Sequence, residues 1–508
     1  MNNSDLNEGT VARGAGFVLL GTFLGMGVTF LLRTLMIREL PKKEYGLLAL
    51  GLSTVGFVAT FGTLGLKQGV AQMISRTDGD DQVRDIALTG LSIVVLVSTV
   101  ISAVMVIYSE PLAAQVFREP EVRAYLEVLS ALVPALSIQW VAVAVFRGKK
   151  RVQERVLVQN FVSPLGRALL VVAAVFFGYG TYGATVGWVA GVSVSSFVGL
   201  LYLYARTDIL EIRPFSPQYR TLLALSVPLM ASSVTWTVVQ QADNYLLGFF
   251  STSSSVAVYD SAFLLGRLLV TVLGSFGFLF MPVFSELDAD ESSTQMNDVY
   301  RSVTEWATLL VLPVYVGMLL FSDTILSSVF KPSYVSGAVS LSIVASGFFF
   351  HVVSGPSGDA LIALGRSRTV LYGNVLAGGL NITLNLILIP QYGIVGAAAA
   401  SAVSYSLFNL YYLFWLNRIT GIHPFSRSFG RTVVVSLGAI SAVWIFVMEV
   451  AGDGLVVVLI GLGASFVVHS LVVVKTKRIS SGDRRLLSEV EEKTGIDIES
   501  KVSSFNRH

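Results

Sequence analysis

Three arginines lie within long apolar stretches of the chain: Arg33, Arg167 and Arg267. A guanidinium group at the centre of a membrane helix costs about 2.5–3.5 kcal/mol even on the lenient scale. We therefore expect these side chains to face a hydrated cavity and to bind an anion. The alternative for Arg33 is a snorkelling anchor at the membrane interface. The alternative for Arg167 and Arg267 is a buried ion pair or a contact between helices.

The helix that carries Arg33 has a second notable feature. Gly21, Gly25, Thr29 and Arg33 recur every four residues and form one small, polar face. This small polar face fits the expectation that Arg33 faces a hydrated cavity or an anion.

One clearly intramembrane acid is expected, Asp243. It shares a helix face with Gln240 and Asn244 through spacings of three and four residues. Asp243 is interpreted either as the counter-ion of an arginine or as the group where a proton or cation couples to transport, and the residues leave both open. His351 in another apolar stretch is a candidate proton carrier. The alternative for that histidine is a satisfied polar contact.

Amides accompany these charges on two further predicted helices. Asn160 lies on one face with Arg167, and Asn381 lies on another face with Asn385. We predict that these amides line the same cavity as the arginines. The alternative is a set of interhelical hydrogen bonds, each typically worth less than about 1 kcal/mol.

The elements that position these residues are membrane spans. The 508 residues are 53% hydrophobic and 13% charged, with a mean hydropathy of +0.70, whereas soluble domains are about 25% charged. Apolar runs long enough to cross a bilayer recur along the chain. The sequence predicts an all-α, polytopic membrane protein with fourteen transmembrane helices, over residues 14–37, 45–66, 86–108, 124–146, 156–178, 183–204, 220–248, 256–282, 302–326, 334–355, 370–390, 394–417, 432–450 and 455–474.

The loops between these spans predict the orientation. An even number of spans places both termini on one side, and most lysines and arginines of the short loops fall on that same side. Since positive charge marks cytoplasmic loops, we expect both termini in the cytoplasm and the protein in the cell (plasma) membrane.

An internal repeat predicts the architecture. The turn that starts with Tyr179-Gly180 resembles the turn that starts with Tyr392-Gly393, and both read Y-G-x-x-G-A. We predict two pseudo-symmetric six-helix bundles of the same orientation, a transporter architecture. The predicted organisation is a cytoplasmic N-terminus (1–13), an N-lobe with helices 1–6 (14–204), a C-lobe with helices 7–12 (205–417), helices 13–14 (418–474) and a cytoplasmic tail (475–508).

Three motifs together resemble those of a known family. They are L-x-x-x-E-Y-G from Leu40 to Gly46, Q-x-A-D-x-x-x-L-G from Gln240 to Gly248, and the paired Y-G-x-x-G-A turns. They resemble the polysaccharide and oligosaccharide flippase branch of the MOP exporter superfamily, whose relatives are the lipid II flippases and the MATE exporters. The resemblance implies an alternating-access flippase, not an enzyme, for a saccharide linked to a polyprenyl or dolichyl phosphate or diphosphate. It also implies a role in cell-surface polysaccharide or glycoprotein glycan assembly.

This resemblance also suggests partners. The expected partners are the lipid-linked saccharide, membrane lipids and glycan-assembly enzymes, with no nucleic acid, no metal and no cofactor.

Two other functions stay open at this point. A MATE-like, cation-coupled exporter of small molecules needs acidic groups in its cavity, whereas three arginines face one aspartate here. A membrane glycosyltransferase or ligase is the second alternative, but the W-W-D-Y-G motif is absent from the sequence. The sequence has no cysteine and no P-loop motif, which excludes thiol chemistry and an integral ATPase. The charge balance favours the flippase, because arginine forks suit phosphate groups.

Overall fold

The structure, a computed structural model, describes residues 5–476 apart from residues 78, 208, 210–213, 215, 290–291, 426 and 453. Within that part, the side chains of residues 5–19, 206, 231–232, 235–236, 238–240, 278–279, 282, 289, 427–428, 451, 455, 474 and 476 are left undescribed. Every regular element of the described residues is helical. The chain divides into two compact units between Ala257 and Val258.

The first unit contains eleven α-helices and two π-helical segments, and the N-terminal part of a twelfth α-helix. The α-helices are α1 (Asp5–Glu39), α2 (Lys42–Gly62), α3 (Leu66–Ile74), α4 (Asp80–Ile107), α5 (Ser109–Pro111), α6 (Val122–Ser130), α7 (Leu132–Gly148), α8 (Val152–Val156), α9 (Ser163–Phe176), α10 (Gly180–Arg206) and α11 (Tyr219–Phe250). The π-helical segments are Leu112–Val116 and Leu157–Val162.

The second unit contains the rest of α12 and eight further α-helices. They are α12 (Ser253–Gly266), α13 (Leu268–Ala289), α14 (Ser293–Leu320), α15 (Ser322–Val329), α16 (Ala338–Val353), α17 (Ser357–Ala363), α18 (Ser367–Thr420), α19 (Arg427–Ala451) and α20 (Leu455–Thr476). A 3-10 helix (Pro332–Gly337) precedes α16.

The distribution of apolar side chains is that of a membrane protein. In the first unit, Val94, Phe146 and Leu203 are fully buried in a core built by α3, α4, α7, α10 and α11. On the other face of α4, Leu96 and Ile107 are 67% and 71% exposed. A run of large, exposed apolar side chains on a long helix is stable when lipid covers it. The prediction of an all-α, polytopic membrane protein is confirmed.

The number of helices that can cross a membrane is eleven within the described residues, and twelve if the bent pair α12 and α13 is one span. One of these helices, α18, is 54 residues long. An unbroken α-helix of that length would extend about 81 Å, far beyond the roughly 30 Å hydrocarbon core. Its backbone breaks at Gly393, which has φ 54° and ψ −128°.

The two predicted repeat turns share this backbone feature. Gly180 precedes the body of α10 with φ 62°, and Gly393 breaks α18 with φ 54°. Glycine adopts such positive φ values without the steric penalty of a Cβ atom. Past each turn, Gly183 and Gly396 lie where a Cβ would be 2.2 Å from Tyr179 Cβ and 2.3 Å from the Leu388 carbonyl oxygen, respectively. The shared turn pattern thus reverses or breaks a helix with almost no loop.

A proline explains the π-helical segment before α9. Pro164 has no amide hydrogen, so it cannot donate to the carbonyl of Asn160, four residues earlier. The helix widens into the π-helical segment Leu157–Val162 at this point, and such bulges are frequent at functional sites.

In the second unit, Trp444 of α19 packs into a gap between glycines. A Cβ on Gly317 of α14 or on Gly461 of α20 would lie 2.6 Å or 2.7 Å from the Trp444 ring. The Trp444 indole donates a hydrogen bond to the Pro313 carbonyl at 3.4 Å. These contacts fix the last two described helices to α14.

Candidate functional site

The small face predicted for α1 packs against the start of the Asn160 helix. A Cβ on Gly25 would lie 2.6 Å from the Asn160 carbonyl oxygen, the oxygen that Pro164 leaves without its usual helical donor. The Asn160 side chain donates to Thr22 Oγ1 at 2.9 Å. Asn160 therefore joins α1 to the π-helical segment, as the helix-contact alternative expects. Because Arg33 lies two turns beyond Gly25 on the same face, this contact directs it towards α9.

Arg167 is held in a defined orientation on α9. Its Nε donates to the Ser163 carbonyl oxygen at 3.1 Å, and its guanidinium carbon lies 5.1 Å from the centre of the Trp188 ring on α10. A Cβ on Gly191 would lie 2.5 Å from Arg167 Cα, so the two backbones touch. The aromatic face attracts the cation and leaves the remaining guanidinium donors available for another acceptor.

The structure brings two of the three predicted arginines together. Arg33 is half-buried on α1, and α1 packs against α9, so the two positive charges lie on neighbouring helices. Two guanidinium groups on neighbouring helices offer donors that suit an anionic group.

Arg267 occupies a different kind of position. It lies between α12 and α13, which meet at a 40° bend, and its side chain is exposed. An exposed arginine in a membrane span is stable where it meets water rather than lipid. This agrees with the predicted cavity position, which stays a prediction.

The predicted polar face of α11 lies partly in a seam between α11 and α2. The Ser53 hydroxyl donates to Gln241 Oε1 at 3.0 Å, and Asn244 Nδ2 donates to Ser53 Oγ at 3.3 Å. Asp243 is 7% exposed and has interactions of its own. The side chain of Gln240 lies outside the described residues. Asn244 thus contributes to helix packing, and its role in substrate binding stays a prediction.

The amides predicted on α18 form a buried network within the second unit. Asn385 Nδ2 donates to Asn381 Oδ1 at 3.1 Å, and Asn381 Nδ2 donates to Ser401 Oγ at 3.3 Å. Asn381 and Asn385 are 3% and 0% exposed. Ser401 follows the break at Gly393, so the network ties the two arms of α18 together. This geometry is that of the interhelical alternative.

The His351 ring contacts two side chains of α18. Its Nδ1 lies 2.8 Å from Asn409 Oδ1, and its ring stacks on Phe408 with centroids 6.0 Å apart. This arrangement matches the satisfied polar contact, and the carrier role stays a prediction.

The sequence pattern did not single out Trp188 or Asp359. Trp188 was overlooked because a tryptophan in an apolar run carries no distinct signal. Asp359 was placed outside the membrane because the tenth span was predicted to end at residue 355. Helical structure resumes at Ser357, and the candidate span extends from Pro332 to Ala363. Asp359 is therefore a second candidate for an intramembrane acid beside Asp243, whose role stays a prediction.

Asp359 lies at a break in its span. Gly355, with φ 71°, separates α16 from α17. A Cβ on Gly277 of α13 would lie 3.0 Å from Asp359 Oδ2, so the carboxylate packs directly on α13. The Gly-Pro pair before α17 is the signal that could have indicated a broken span.

Comparison with known families gives a consistent result. Residues 11–288 match the family described as polysaccharide biosynthesis protein, and residues 161–476 match the family described as lipid II flippase MurJ.

Individual relatives agree with these matches. The chain is 24% identical over 469 residues to the probable low-salt glycan biosynthesis flippase Agl15 of Haloferax volcanii, across 91% of this chain and 95% of that protein. It is 31% identical over 172 residues to the probable flippase AglR of the same organism, across 32% of this chain and 35% of that protein. It is 23% identical over 316 residues to the succinoglycan biosynthesis transport protein ExoT of Rhizobium meliloti, across 62% of this chain and 61% of that protein.

Solved structures show the same fold. The lipid II flippase MurJ in an inward closed conformation superposes with a TM-score of 0.71 at 14% identity, covering 90% of this chain and 97% of that chain. An inward-facing multidrug resistance MATE transporter of the MOP superfamily superposes with a TM-score of 0.63 at 15% identity, covering 77% of this chain and 94% of that chain.

Fold and family matches together define a transporter of the MOP superfamily, a class that moves substrates across a membrane and does not convert them chemically. The chain belongs to the polysaccharide biosynthesis family of flippases within that superfamily. The resemblance inferred from the motifs is confirmed, and the glycosyltransferase or ligase alternative is wrong.

Proposed function

We propose that this protein is a flippase that moves a lipid-linked saccharide across the plasma membrane by alternating access. The lipid is a polyprenyl or dolichyl phosphate or diphosphate, and the product serves cell-surface polysaccharide or glycoprotein glycan assembly. The observation that carries this proposal is Arg167, a cation held against the Trp188 ring on a candidate membrane span that packs against the helix of Arg33, in a chain of a flippase family.

The headgroup chemistry explains why arginines are needed. A phosphate that enters a poorly solvated passage loses hydrogen bonds to water, and guanidinium donors replace them. Trp188 holds one face of Arg167, which limits the orientations of the guanidinium group. Arg267 adds a third cation in the second unit, and Gln240 and Asn244 offer amides for sugar hydroxyls.

Two acidic residues, Asp243 and Asp359, are the candidates for coupling transport to a proton or cation gradient. Asp243 either pairs with an arginine or binds the coupling proton or cation, and Asp359 is a second acid that can take that role. His351 is a weaker candidate, because Asn409 already satisfies its Nδ1.

A MATE-like exporter of small cations is the second candidate, supported by the fold shared with a MATE transporter. The arginine pair argues against it, because it would repel a cationic substrate. Transport assays with an organic cation and with a lipid-linked saccharide in proteoliposomes separate the two functions.

The chain crosses the membrane fourteen times in our proposal, as two six-helix bundles plus two C-terminal helices. This count treats α18 as two crossings divided at Gly393, the pair α12 and α13 as one, and the 32-residue α11 as one more. Both termini are then cytoplasmic, and membrane lipids and glycan-assembly enzymes are the neighbours.

Single cysteines test this topology, because the chain has none of its own. Tyr179 is exposed in the turn after the fifth span, and Gln153 is exposed on the short helix α8 that precedes its π-helical segment. A membrane-impermeant maleimide added to intact cells should label Tyr179→Cys, and it should label Gln153→Cys after permeabilisation. The reverse pattern would overturn the orientation.

Gene deletion tests the function itself. Deletion should leave the lipid-linked saccharide made but confined to the cytoplasmic leaflet, with the surface glycan lost. If the lipid-linked intermediate reaches the outer leaflet at its normal rate in the deletion strain, the proposal fails.

A further inference from the structure

An apolar groove lies within the second unit, between the end of α14, α16 and the part of α18 that follows Gly393. Its volume is 860 Å³. Among its lining side chains, Val339, Val403 and Leu407 are 58%, 43% and 47% exposed. All three helices belong to candidate membrane spans. Because exposed apolar surface on such helices is stable when hydrocarbon covers it, the groove suits an apolar ligand.

The groove follows the long axis of α16. Its lining residues on that helix are 338–339, 342–343, 346–347 and 350, which recur with the spacing of one helix face. Since an α-helix rises 1.5 Å per residue, this face is about 18 Å long. A Cβ on Gly347 would lie 2.6 Å from Ala402 Cα on α18, so the two helix backbones touch where both line the groove. An elongated groove of this kind suits a hydrocarbon chain better than a compact molecule.

Three serines line the groove without making it strongly polar. Ser342, Ser346 and Ser406 each donate to the carbonyl oxygen four residues earlier, at 3.2, 2.8 and 2.8 Å respectively. Hydroxyl groups that bond back to their own helix in this way do not require a polar ligand. The middle of the groove therefore offers few donors to a sugar or a phosphate.

One part of the groove has a different character. Ser322 and Asp323 line it at the start of α15, directly after the span that ends at Leu320. Asp323 is exposed, and within the described part of the chain no side chain pairs with its carboxylate. A carboxylate accepts hydrogen bonds and attracts positive charge. The groove thus combines an apolar wall with one acidic, accessible group.

We propose that this groove binds a bilayer lipid, with a hydrocarbon chain along α16 and α18 and an ammonium headgroup at Asp323. An aminophospholipid has this arrangement, because long apolar chains are joined to a headgroup that ends in an amine. A lipid with a net anionic headgroup binds less well, since the carboxylate repels it. The inference goes beyond the proposed function: the site lies entirely within the second unit and requires neither the proposed substrate nor the proposed topology.

A thermal-shift titration with two lipids tests the headgroup. Dioleoyl phosphatidylethanolamine and dioleoyl phosphatidylglycerol share their chains, and each is added to the purified protein in detergent. A ligand that binds the folded state raises Tm with its concentration. The ethanolamine lipid should give half of its full shift at a concentration about 1.5- to 5-fold lower, the range of an exposed ion pair. Asp323→Asn should remove this difference, and equal affinities in the unmodified protein would overturn the assignment to Asp323.

A substitution that fills the groove tests the chain site. Ser406→Phe places a ring among the lining side chains and should abolish the shift with both lipids. Ser470→Phe is the matched control, because Ser470 makes the same kind of bond, to the Phe466 carbonyl at 2.7 Å, on an exposed face of α20. Ser470 does not line the groove, so this variant should keep the full shift.

Folding of the variants is judged by the gel-filtration profile and by Tm without added lipid. If Ser406→Phe does not fold, Val339→Trp fills the same groove from an exposed position on α16, and the same loss is expected. A full shift in a folded groove-filling variant would show that lipid binds only around the protein surface in general, and it would overturn the site. Loss of the shift together with normal trapping of the lipid-linked saccharide in the deletion strain supports the site and the proposed function separately.

Discussion

The guanidinium carbon of Arg167 lies 5.1 Å from the centre of the Trp188 ring. Their helices can approach this closely because Gly191, one turn beyond Trp188, lies against the backbone of Arg167. A cation stacked on an indole keeps its in-plane donors free. This contact fixes the orientation of the Arg167 guanidinium group as a donor.

Replacement of the paired arginines should reduce transport. Arg167→Ala should abolish flipping of a lipid-linked saccharide in proteoliposomes, because the headgroup loses its charge-assisted donors. Arg167→Lys should retain part of the rate, since charge remains but the planar fork is lost. Arg123→Ala, which removes an exposed arginine paired with Glu110 and Glu127, is the matched control. Normal flipping by a well-expressed Arg33→Ala, Arg167→Ala double variant would contradict the anion site.

Trp188 should contribute to substrate affinity without contributing charge. Cation–π contacts are worth about 0.5–2 kcal/mol, so Trp188→Leu should raise KM by about 2- to 30-fold as Arg167 loses its orientation. Trp188→Phe should raise KM less. Trp415→Phe, in an aromatic cluster with Tyr411 and Phe414, should leave KM unchanged. An unaltered KM in Trp188→Leu would show that the indole has a packing role alone.

The glycine contact between α1 and the π-helical segment should be required for the site. A Cβ on Gly25 would lie 2.6 Å from the Asn160 carbonyl oxygen, whereas a Cβ on Gly27 meets no atom within 4 Å. Gly25→Ala should therefore shift α1, move Arg33 away from Arg167 and lower the flipping rate. Gly27→Ala, the same change on the same helix, should have little effect. Equal rates in the two variants would contradict the proposed positioning of Arg33 by Gly25.

The network of Asn381 and Asn385 should affect stability more than transport. Asn385→Ala removes a buried hydrogen bond to Asn381, and such bonds in membrane proteins average about 0.6 kcal/mol with a maximum near 1.7 kcal/mol. We expect a lower Tm with substrate KM unchanged. Thr383→Ala, whose hydroxyl bonds the Gly379 carbonyl on an exposed face, is the control for Tm. A raised KM with an unchanged Tm would instead support the cavity-lining role.

Periodicity in the sequence was sufficient to predict which residues share a helix face. The face that contains Gly25 and Arg33 was predicted from four-residue spacing, and the structure places that face against the helix of Asn160. The predicted end of the tenth span, residue 355, lies close to the end of α16 at Val353, but the sequence did not predict that a second short helix, α17, follows the Gly355-Pro356 pair.

Hydropathy and charge by themselves determined that this is an all-α membrane protein, because a bilayer requires long apolar helices that satisfy their own backbone. The rarity of charge inside those helices also marked Arg33 and Arg167 as candidates. Which helices meet was decided by the tertiary structure. Glu119 binds Ser253 across 134 residues of chain, and Arg167 meets Trp188 where Gly191 allows two backbones to touch. Such contacts depend on the complementary shapes of two distant helices, and helical periodicity within one segment contains no information about its partner.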